Sequence, residues 1–491
     1  MLQQFHPFRV IFALAIGTTL ISGCANTTAE PEGGLAPAKA LPVVVVAESN
    51  PQQQILTANP ELPVQQWFHE ARSSVGEKLG VDLSHVGLRV TDTEGIAVHA
   101  KTSLMHALGH DLRNNLFTES LVDNILTLQT ESVLAIYSPS VKQILLHDKN
   151  IGKYLDHQIA PKGALQALLV HELVHASDDL KYAAFDQNSM SYQEVFAKSA
   201  VVEGHAQWQT RNICKALGCK TAFNHLNRYM FDSSSQEDPA LQYLQSRSFK
   251  NLEFVYKEGE RFIDELKQRA NSDEAVSLAF KKPPRDSIQI IDPDSFPDLA
   301  REKRNDLLSV AIENTAKPWD KNSTGRLKRN VLAAAAFSVD PTARQPIVNF
   351  YTSKILAATK HEYYEHASDV PIPVAVIALQ TDTNATARKT ASLIFDSTFE
   401  TYNQLSGNLV EVNMWNRQHH TAELPEGSQA IELYTASGQM NNGLVNAQYP
   451  VEVVTATSGN YLVHIDGRYV HGQKDLMQFA GQLLLSLQSK K

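Results

Sequence analysis

Cysteine is scarce in this chain, which has three in 491 residues. So small a number excludes a fold built on a disulfide framework. Basic residues are not clustered and the formal net charge is only −9, so we predict no nucleic-acid partner. Hydrophobic residues make up 43% of the chain and aromatic residues 8%, which indicates a globular protein with room for two or three domains.

The N-terminus carries an apolar run that is too short to cross a membrane as a helix. It extends from Val10 to Ile21, follows Arg9 and is typical of a targeting segment. Its end, Ile21-Ser22-Gly23-Cys24, resembles the lipobox of bacterial lipoproteins, in which the chain is cut before a cysteine that is then lipidated. The resemblance implies a lipoprotein signal peptide over residues 1–23 and a lipid on Cys24.

Residues 24–63 are rich in proline and alanine and show no helical period, so we predict a tether. Ala25, rather than Asp, follows the cysteine. By resemblance to the sorting pattern of Gram-negative lipoproteins, this implies the outer membrane, on its periplasmic side. We therefore expect a folded protein held at the bacterial cell envelope by its lipid anchor.

The strongest motif in the chain is His171-Glu172-Leu173-Val174-His175. No proline interrupts the run from Lys162 to Tyr182, and its residues are good helix formers. Positions i and i+4 lie on one face of a helix, so both imidazoles can reach one zinc ion. Glu172 projects toward the same point and could act as general base.

Catalytic zinc takes three protein ligands, so a third should lie on a neighbouring element. A helix predicted over Ser191–Ala216 contains Glu203, followed by Gly204 and His205. Glu203 and His205 are about 200° apart on a helix, so they cannot both face the metal. We prefer Glu203 because its neighbours are apolar, with His205 as the rival. Glycine inside a helix costs about 1 kcal/mol, which indicates a close approach at Gly204.

These segments resemble the gluzincin class of zinc metallopeptidases. They are most similar to a poorly characterised bacterial group with HELxHAxxD and EGxA motifs, followed by a Tyr-x-x-Gly-x-x-Phe helix and a PPxSTxQIxHP segment. The matching positions here are 171–179, 203–206, 256–262 and 283–293. Asp286-Ser287 stands in place of Ser-Thr, and Asp292 stands where His is usual.

The resemblance implies an α+β fold, in which a mainly helical zincin-like metallopeptidase domain with a small sheet precedes a smaller α+β domain. We place these domains at 64–320 and 321–491. It also implies one zinc ion on His171, His175 and Glu203, with Glu172 as the base. Asp179 matches the motif aspartate, and we predict that it orients a ligand imidazole.

A phenol near zinc could hydrogen-bond the oxyanion of the transition state. Tyr256 is our candidate, with Tyr229, Tyr243 and Arg261 as rivals.

Cys214 and Cys219 are the remaining cysteines, and we predict a disulfide between them next to a helix cap at Gly218. Free thiols, a zinc pair and a redox site are the alternatives.

Patterning predicts two paired strands, Val133–Tyr137 and Gln143–Leu146, just before the motif helix. It predicts an extended, proline-rich segment from Pro283 to Asp320. Near the C-terminus it predicts a hairpin that turns at Ser458-Gly459-Asn460, then a closing helix over Asp475–Leu487.

The leading hypothesis is a membrane-anchored zinc metallopeptidase, a hydrolase that acts on peptides or proteins. The alternative is a catalytically silent zincin-fold lipoprotein that serves as a binding or scaffold protein in the cell envelope. The departure at Asp292 and the large C-terminal region support this alternative.

Overall fold

The structure is a computed structural model that describes residues 63–107, 133–156, 158–186, 190, 192–231, 253–285, 287–297, 299–316, 323–329, 353–365, 372–405, 410–422, 431–442, 447–468 and 473–489. They form a mixed α+β protein, as predicted. The predicted signal peptide, Cys24 and most of the tether lie outside the described residues. Among the described helices, none has the length and apolar character that crossing a membrane requires.

A three-stranded sheet precedes the motif helix, in the order β1-β3-β2. Its strands are β1 Gly87–Thr91, β2 Ala135–Ser138 and β3 Gln143–His147. β2 is antiparallel to β3 and lies at an edge, while β1 runs parallel to β3. The predicted strand pair is therefore confirmed. All residues of β2 and β3 except Gln143 are buried.

The first unit is otherwise helical. In chain order its α-helices are α1 Val64–Leu79, α2 Thr93–Ala107, α3 Asp148–Asp156, α4 Pro161–Tyr182, α5 Tyr192–Leu217, α6 Lys220–Phe231, α7 Gly259–Lys267, α8 Ser272–Lys281 and α9 Ser287–Ile291. A π-helical turn, Phe254–Glu258, leads directly into α7, and a 3₁₀ turn, Pro293–Ser295, follows α9. One core joins α1, α4, α5, α7 and the sheet, which places the motif helix α4 at the centre of the unit.

The helix α4 is buried on all sides over its middle, including Leu165, Leu168, Leu169 and Leu173. A helix that is buried on every side lies within a core rather than on a surface. The polar side chains it carries there must find partners inside the protein, because burying them without partners is costly.

The predicted disulfide is confirmed: Cys214 in α5 and Cys219 are bonded, and both are fully buried. Gly218 between them has φ +78°, the left-handed conformation in which glycine is favoured at a helix end.

A second unit is built on a seven-stranded sheet in the order β4-β5-β6-β10-β9-β8-β7, antiparallel at every pairing. The strands are β4 Ser323–Arg329, β5 Ile355–Glu365, β6 Ile372–Thr381, β7 Val410–Ala422, β8 Ile431–Asn442, β9 Ala447–Ser458 and β10 Tyr461–Arg468. The hairpin between β9 and β10 confirms the predicted turn, with Gly459 at φ +58°.

Helices cover both faces of this sheet. They are α10 Leu299–Thr315, α11 Asn384–Leu405 and α12 Gln473–Gln488. α10 and α12 pack on one face in a core with Val374 and Val463, while α11 packs on the other face against Ile377 and Leu462. Neighbouring residues of one strand face opposite sides, which explains why adjacent positions join different cores.

The prediction of an extended segment from Pro283 to Asp320 was wrong, because this region contains α9 and the 17-residue helix α10. Leu308, Ala311 and Ile312 of α10 join the core of the second unit. Charged residues before this apolar stripe masked its helical period. The structure thus groups α10 with the sheet unit rather than with residues 64–298.

Candidate metal centre

Three side chains from two helices converge at one point inside the first unit. His171 and His175 lie on α4, and Glu203 lies on α5. The two Nε2 atoms are 3.1 Å apart, and they lie 3.2 and 3.3 Å from Oε2 of Glu203. The three residues are only 3%, 3% and 1% exposed, so a metal ion there would be screened from bulk water.

This donor set fits a divalent metal. Two ligand atoms at zinc distances, in tetrahedral geometry, lie roughly 3.3 Å apart, close to all three separations in the cluster. Two imidazoles and one carboxylate are the ligands of catalytic zinc sites with one position left for water. The cluster could hold a metal ion, and among the described residues no other group of His, Cys, Asp and Glu converges in this way.

The electrostatics of the cluster favour charge separation while no cation is bound. Burial disfavours both charged forms, but the adjacent imidazoles hold the pKa of Glu203 well below its usual range. Burial also opposes protonation of His175, yet the Glu203 carboxylate outweighs it and raises the pKa of His175 to about 9. Burial lowers the pKa of His171, which favours its neutral form.

Glu172 points at the same region from the next position of α4. Its Oε2 accepts a 2.7 Å hydrogen bond from the backbone N–H of Tyr137, in the edge strand β2. Its Oε1 is buried and has no hydrogen-bond partner among the described residues. Burial raises the pKa of Glu172 to about 7, in a range where a carboxylate can both accept and return a proton.

Tyr256, in the π-helical turn, also lies against the cluster. Its ring stacks on His171 with centroids 5.8 Å apart and an interplanar angle of 11°. Burial, together with the Glu203 and Glu172 carboxylates, raises the pKa of Tyr256 well above its usual value, so the phenol keeps its proton. Single π-turns inside helices are frequent at functional sites.

Two glycines allow this arrangement. A Cβ on Gly204 would lie 2.0 Å from the carbonyl carbon of Gly259, and a Cβ on Gly259 would lie 2.0 Å from the carbonyl oxygen of Ala200. The backbones of α5 and of the turn at the start of α7 therefore touch. The close approach that Gly204 predicted is a helix–helix contact, and it brings Glu203 and Tyr256 to the same place.

His205, the rival ligand, does not join the cluster. Its Nδ1 lies 2.8 Å from Oδ2 of Asp178, and its Nε2 lies 3.1 Å from the side-chain amide of Gln209. Asp178 is fully buried and was missed by the sequence reasoning. A signal was present, since it follows His175 by three residues on the same helix, but its neighbour Asp179 matched the motif instead.

Asp179 does not orient a ligand imidazole, so that prediction was wrong. It accepts hydrogen bonds from the Tyr137 hydroxyl (2.8 Å) and from the Lys142 ammonium (2.6 Å). A charge-assisted bond to lysine satisfies this carboxylate at the β2–β3 turn. Nδ1 of His175 has no hydrogen-bond partner among the described residues.

Of the other residues singled out in the sequence, the structure describes the side chains of Arg261 and Asp292 but not those of the two tyrosines. Arg261 donates to Glu258 and to the carbonyl oxygens of Ile290 and Ile291, which fastens α7 to α9. Asp292 is half-buried, and burial raises its pKa. The side chain of Tyr229 and all of Tyr243 lie outside the described residues.

Compared with known proteins, the chain matches no family description, no curated protein and no solved structure.

Proposed function

We propose that the chain is a zinc metallopeptidase of the gluzincin kind. One observation carries the proposal: the ligand atoms of His171, His175 and Glu203 lie within 3.3 Å of one another in the core. Beside them, Oε1 of Glu172 is buried and has no hydrogen-bond partner among the described residues. A buried carboxylate oxygen without a partner is costly unless something binds it. A water or a substrate amide between Glu172 and the metal ligands would satisfy it.

In this proposal His171, His175 and Glu203 would hold one zinc ion, which would supply Lewis acidity at the site. Oε1 of Glu172 takes the proton from the attacking water and passes it to the leaving nitrogen. The N–H of Tyr137 fixes the other oxygen of Glu172, so the base keeps one orientation. The Tyr256 hydroxyl donates to the substrate oxygen as negative charge develops there.

The proposal extends to the setting of the enzyme. Cys24 would carry the lipid that anchors the chain to the membrane, with the tether holding the catalytic unit in the periplasm. The substrates would be peptides or proteins of the cell envelope. The lipobox resemblance of residues 21–24 supports this location.

A decisive test compares the full chain with Glu172→Gln. Glutamine can still accept the Tyr137 N–H, so the fold and the zinc content should remain. Peptide hydrolysis should fall by about 10²–10⁴-fold, the usual contribution of a general base. Glu274→Gln, a change of an exposed glutamate on α8, is the matched control and should keep full activity. Wild-type activity in Glu172→Gln would exclude this mechanism.

The second candidate is the catalytically silent binding or scaffold lipoprotein. The sheet unit favours it, because this unit has its own core and is as large as a separate binding domain. The same preparation separates the two: one zinc per chain with no turnover of a broad peptide library supports the scaffold.

A further inference from the structure

The chain after the motif helix turns back toward the candidate metal centre. Ala183 ends α4 in the left-handed conformation, and its N–H bonds to the carbonyl of Asp179. The N–H of Asp186 then donates to the carbonyl of Ala183. These two bonds close a tight turn over residues 183–186, and Phe185 lies within it.

A buried lysine fastens this turn to the other ligand helix. The ammonium of Lys198, which is 3% exposed on α5, donates a 2.7 Å hydrogen bond to the carbonyl of Asp186. Breaking this bond would leave a buried ammonium without a partner, which is costly. The bond therefore holds the turn in place. Lys198 and Glu203 share one helix, which fixes the turn relative to the metal ligands.

The ring of Phe185 touches two residues of the site. It meets the ring of His175 edge-on, with centroids 5.9 Å apart, and lies 6.0 Å from the ring of Tyr137. His175 is a metal ligand of the cluster, and the backbone of Tyr137 holds Glu172. Phe185 itself is only partly buried, whereas His175 and Tyr137, which its ring contacts, are buried.

A phenylalanine ring has no atom that can bind a metal or carry a proton. What it offers a bound molecule is apolar surface, and ligand pockets combine such surface with a few polar groups. On the basis of the proposed function, we infer that Phe185 forms the wall of a substrate subsite that selects a large apolar or aromatic side chain next to the scissile peptide bond.

The inference is tested by Phe185→Ala and Phe185→Leu in the full, zinc-loaded chain. Pairs of peptides that differ only as Phe or Ala beside the cleaved bond give the ratio of kcat/KM. The wild type should prefer Phe by about 10- to 100-fold, and Phe185→Ala should remove most of that ratio. Phe185→Leu should keep an intermediate ratio. Leu180→Ala, a change of an exposed leucine on α4, should leave the ratio unchanged.

Calorimetric binding of two zinc-chelating hydroxamates, one with a benzyl and one with a methyl side chain, provides a readout without turnover. A benzyl preference that disappears in Phe185→Ala supports the subsite even if no peptide is cleaved, in which case only the hydrolase proposal fails. Conversely, unchanged preferences in a folded, zinc-replete Phe185→Ala protein overturn the subsite, whether or not hydrolysis is observed.

Discussion

The two units of this protein bury different kinds of polar residue. In the described chain, the buried carboxylates are Glu172, Asp178 and Glu203, and all three lie on α4 and α5. From residue 309 onward, the buried polar residues are serines, threonines and histidines. The two buried histidines of this set lie against hydroxyls: His464 contacts the Thr455 hydroxyl at 2.8 Å and His361 contacts the Ser309 hydroxyl at 2.9 Å.

Packing alone accounts for the buried polar residues of the sheet unit, whereas those of the helical unit indicate a functional site. A hydroxyl can satisfy a buried imidazole at little cost, so the histidines of the sheet unit need no ligand. Three carboxylates and several imidazoles packed together in the helical unit are expensive without a cation or a bound water. Perturbed groups that share one place mark functional sites.

Removing a proposed metal ligand should give the largest difference in zinc affinity between variants of the two units. Structural zinc sites bind with about 10–16 kcal/mol from four ligands, or roughly 2.5–4 kcal/mol for each ligand. We expect Glu203→Ala to weaken zinc binding by about 100-fold or more in competition with a chelator. His464→Ala removes a buried histidine from the other unit and should leave zinc affinity at the wild-type value. Equal losses in both variants would refute the assignment.

The glycine contact should be the next most sensitive feature. Gly204→Ala places a methyl group against the backbone of Gly259, which cannot move away by changing a rotamer. We therefore expect a loss of about 3 kcal/mol in the free energy of unfolding.

Gly467→Ala in the sheet unit is the matched comparison. There the new methyl would meet Cδ1 of Leu476, the end of a flexible side chain, and the cost should be smaller. Denaturant unfolding of both variants measures the difference. A greater loss for Gly467→Ala would contradict the view that touching backbones fix the first unit.

Reduction of the disulfide should have a moderate effect confined to the first unit. Cys214 and Cys219 are five residues apart, and closing so short a loop stabilises a protein by about 2 kcal/mol. The Cys214→Ser/Cys219→Ser variant should therefore lower the unfolding midpoint of the helical unit. Hydrogen exchange in β6 and β10 of the sheet unit should not change, and a change there would show that the two units unfold together.

The last effect, about tenfold in zinc affinity for each pH unit, concerns pH. Zinc requires neutral imidazoles, so binding must expel the proton that the metal-free protein holds on His175 below about pH 9. Zinc affinity should therefore rise about tenfold for each pH unit between about 7 and 9 and level off above that. Calorimetry in buffers of different ionisation enthalpy should show about one proton released at pH 7.5. A release near zero would contradict the coupling.

Much of the helical unit was predictable from local pattern. The motif helix and α5 lie within one residue of their predicted bounds, because both combine apolar periodicity with an absence of proline. The cluster of His171, His175 and Glu203 follows from helix geometry plus one choice between two neighbours. The rotation of about 100° per residue excluded a site that uses both Glu203 and His205, and the apolar neighbours of Glu203 favoured it over His205.

What could not be predicted depends on the crossing of elements distant in sequence. Whether Asp178 or Asp179 reaches a histidine is decided by where α5 crosses α4, and the sequence does not contain that angle. The position of Phe185 beside His175 could not be predicted, because this residue follows the end of a helix and belongs to no motif. The helix α10 was missed because charged residues precede its apolar stripe, and this stripe packs against a sheet that begins later in the chain.

The contact between Gly204 and Gly259 has a consequence for how this protein could change over time. Side chains usually absorb small shifts between helices, but here the main chains meet directly and nothing intervenes to adjust. The spacing between Glu203 and Tyr256 is thus inherited with the fold itself. New preferences for a bound molecule would then arise through single side chains such as Phe185, which do not take part in this backbone contact.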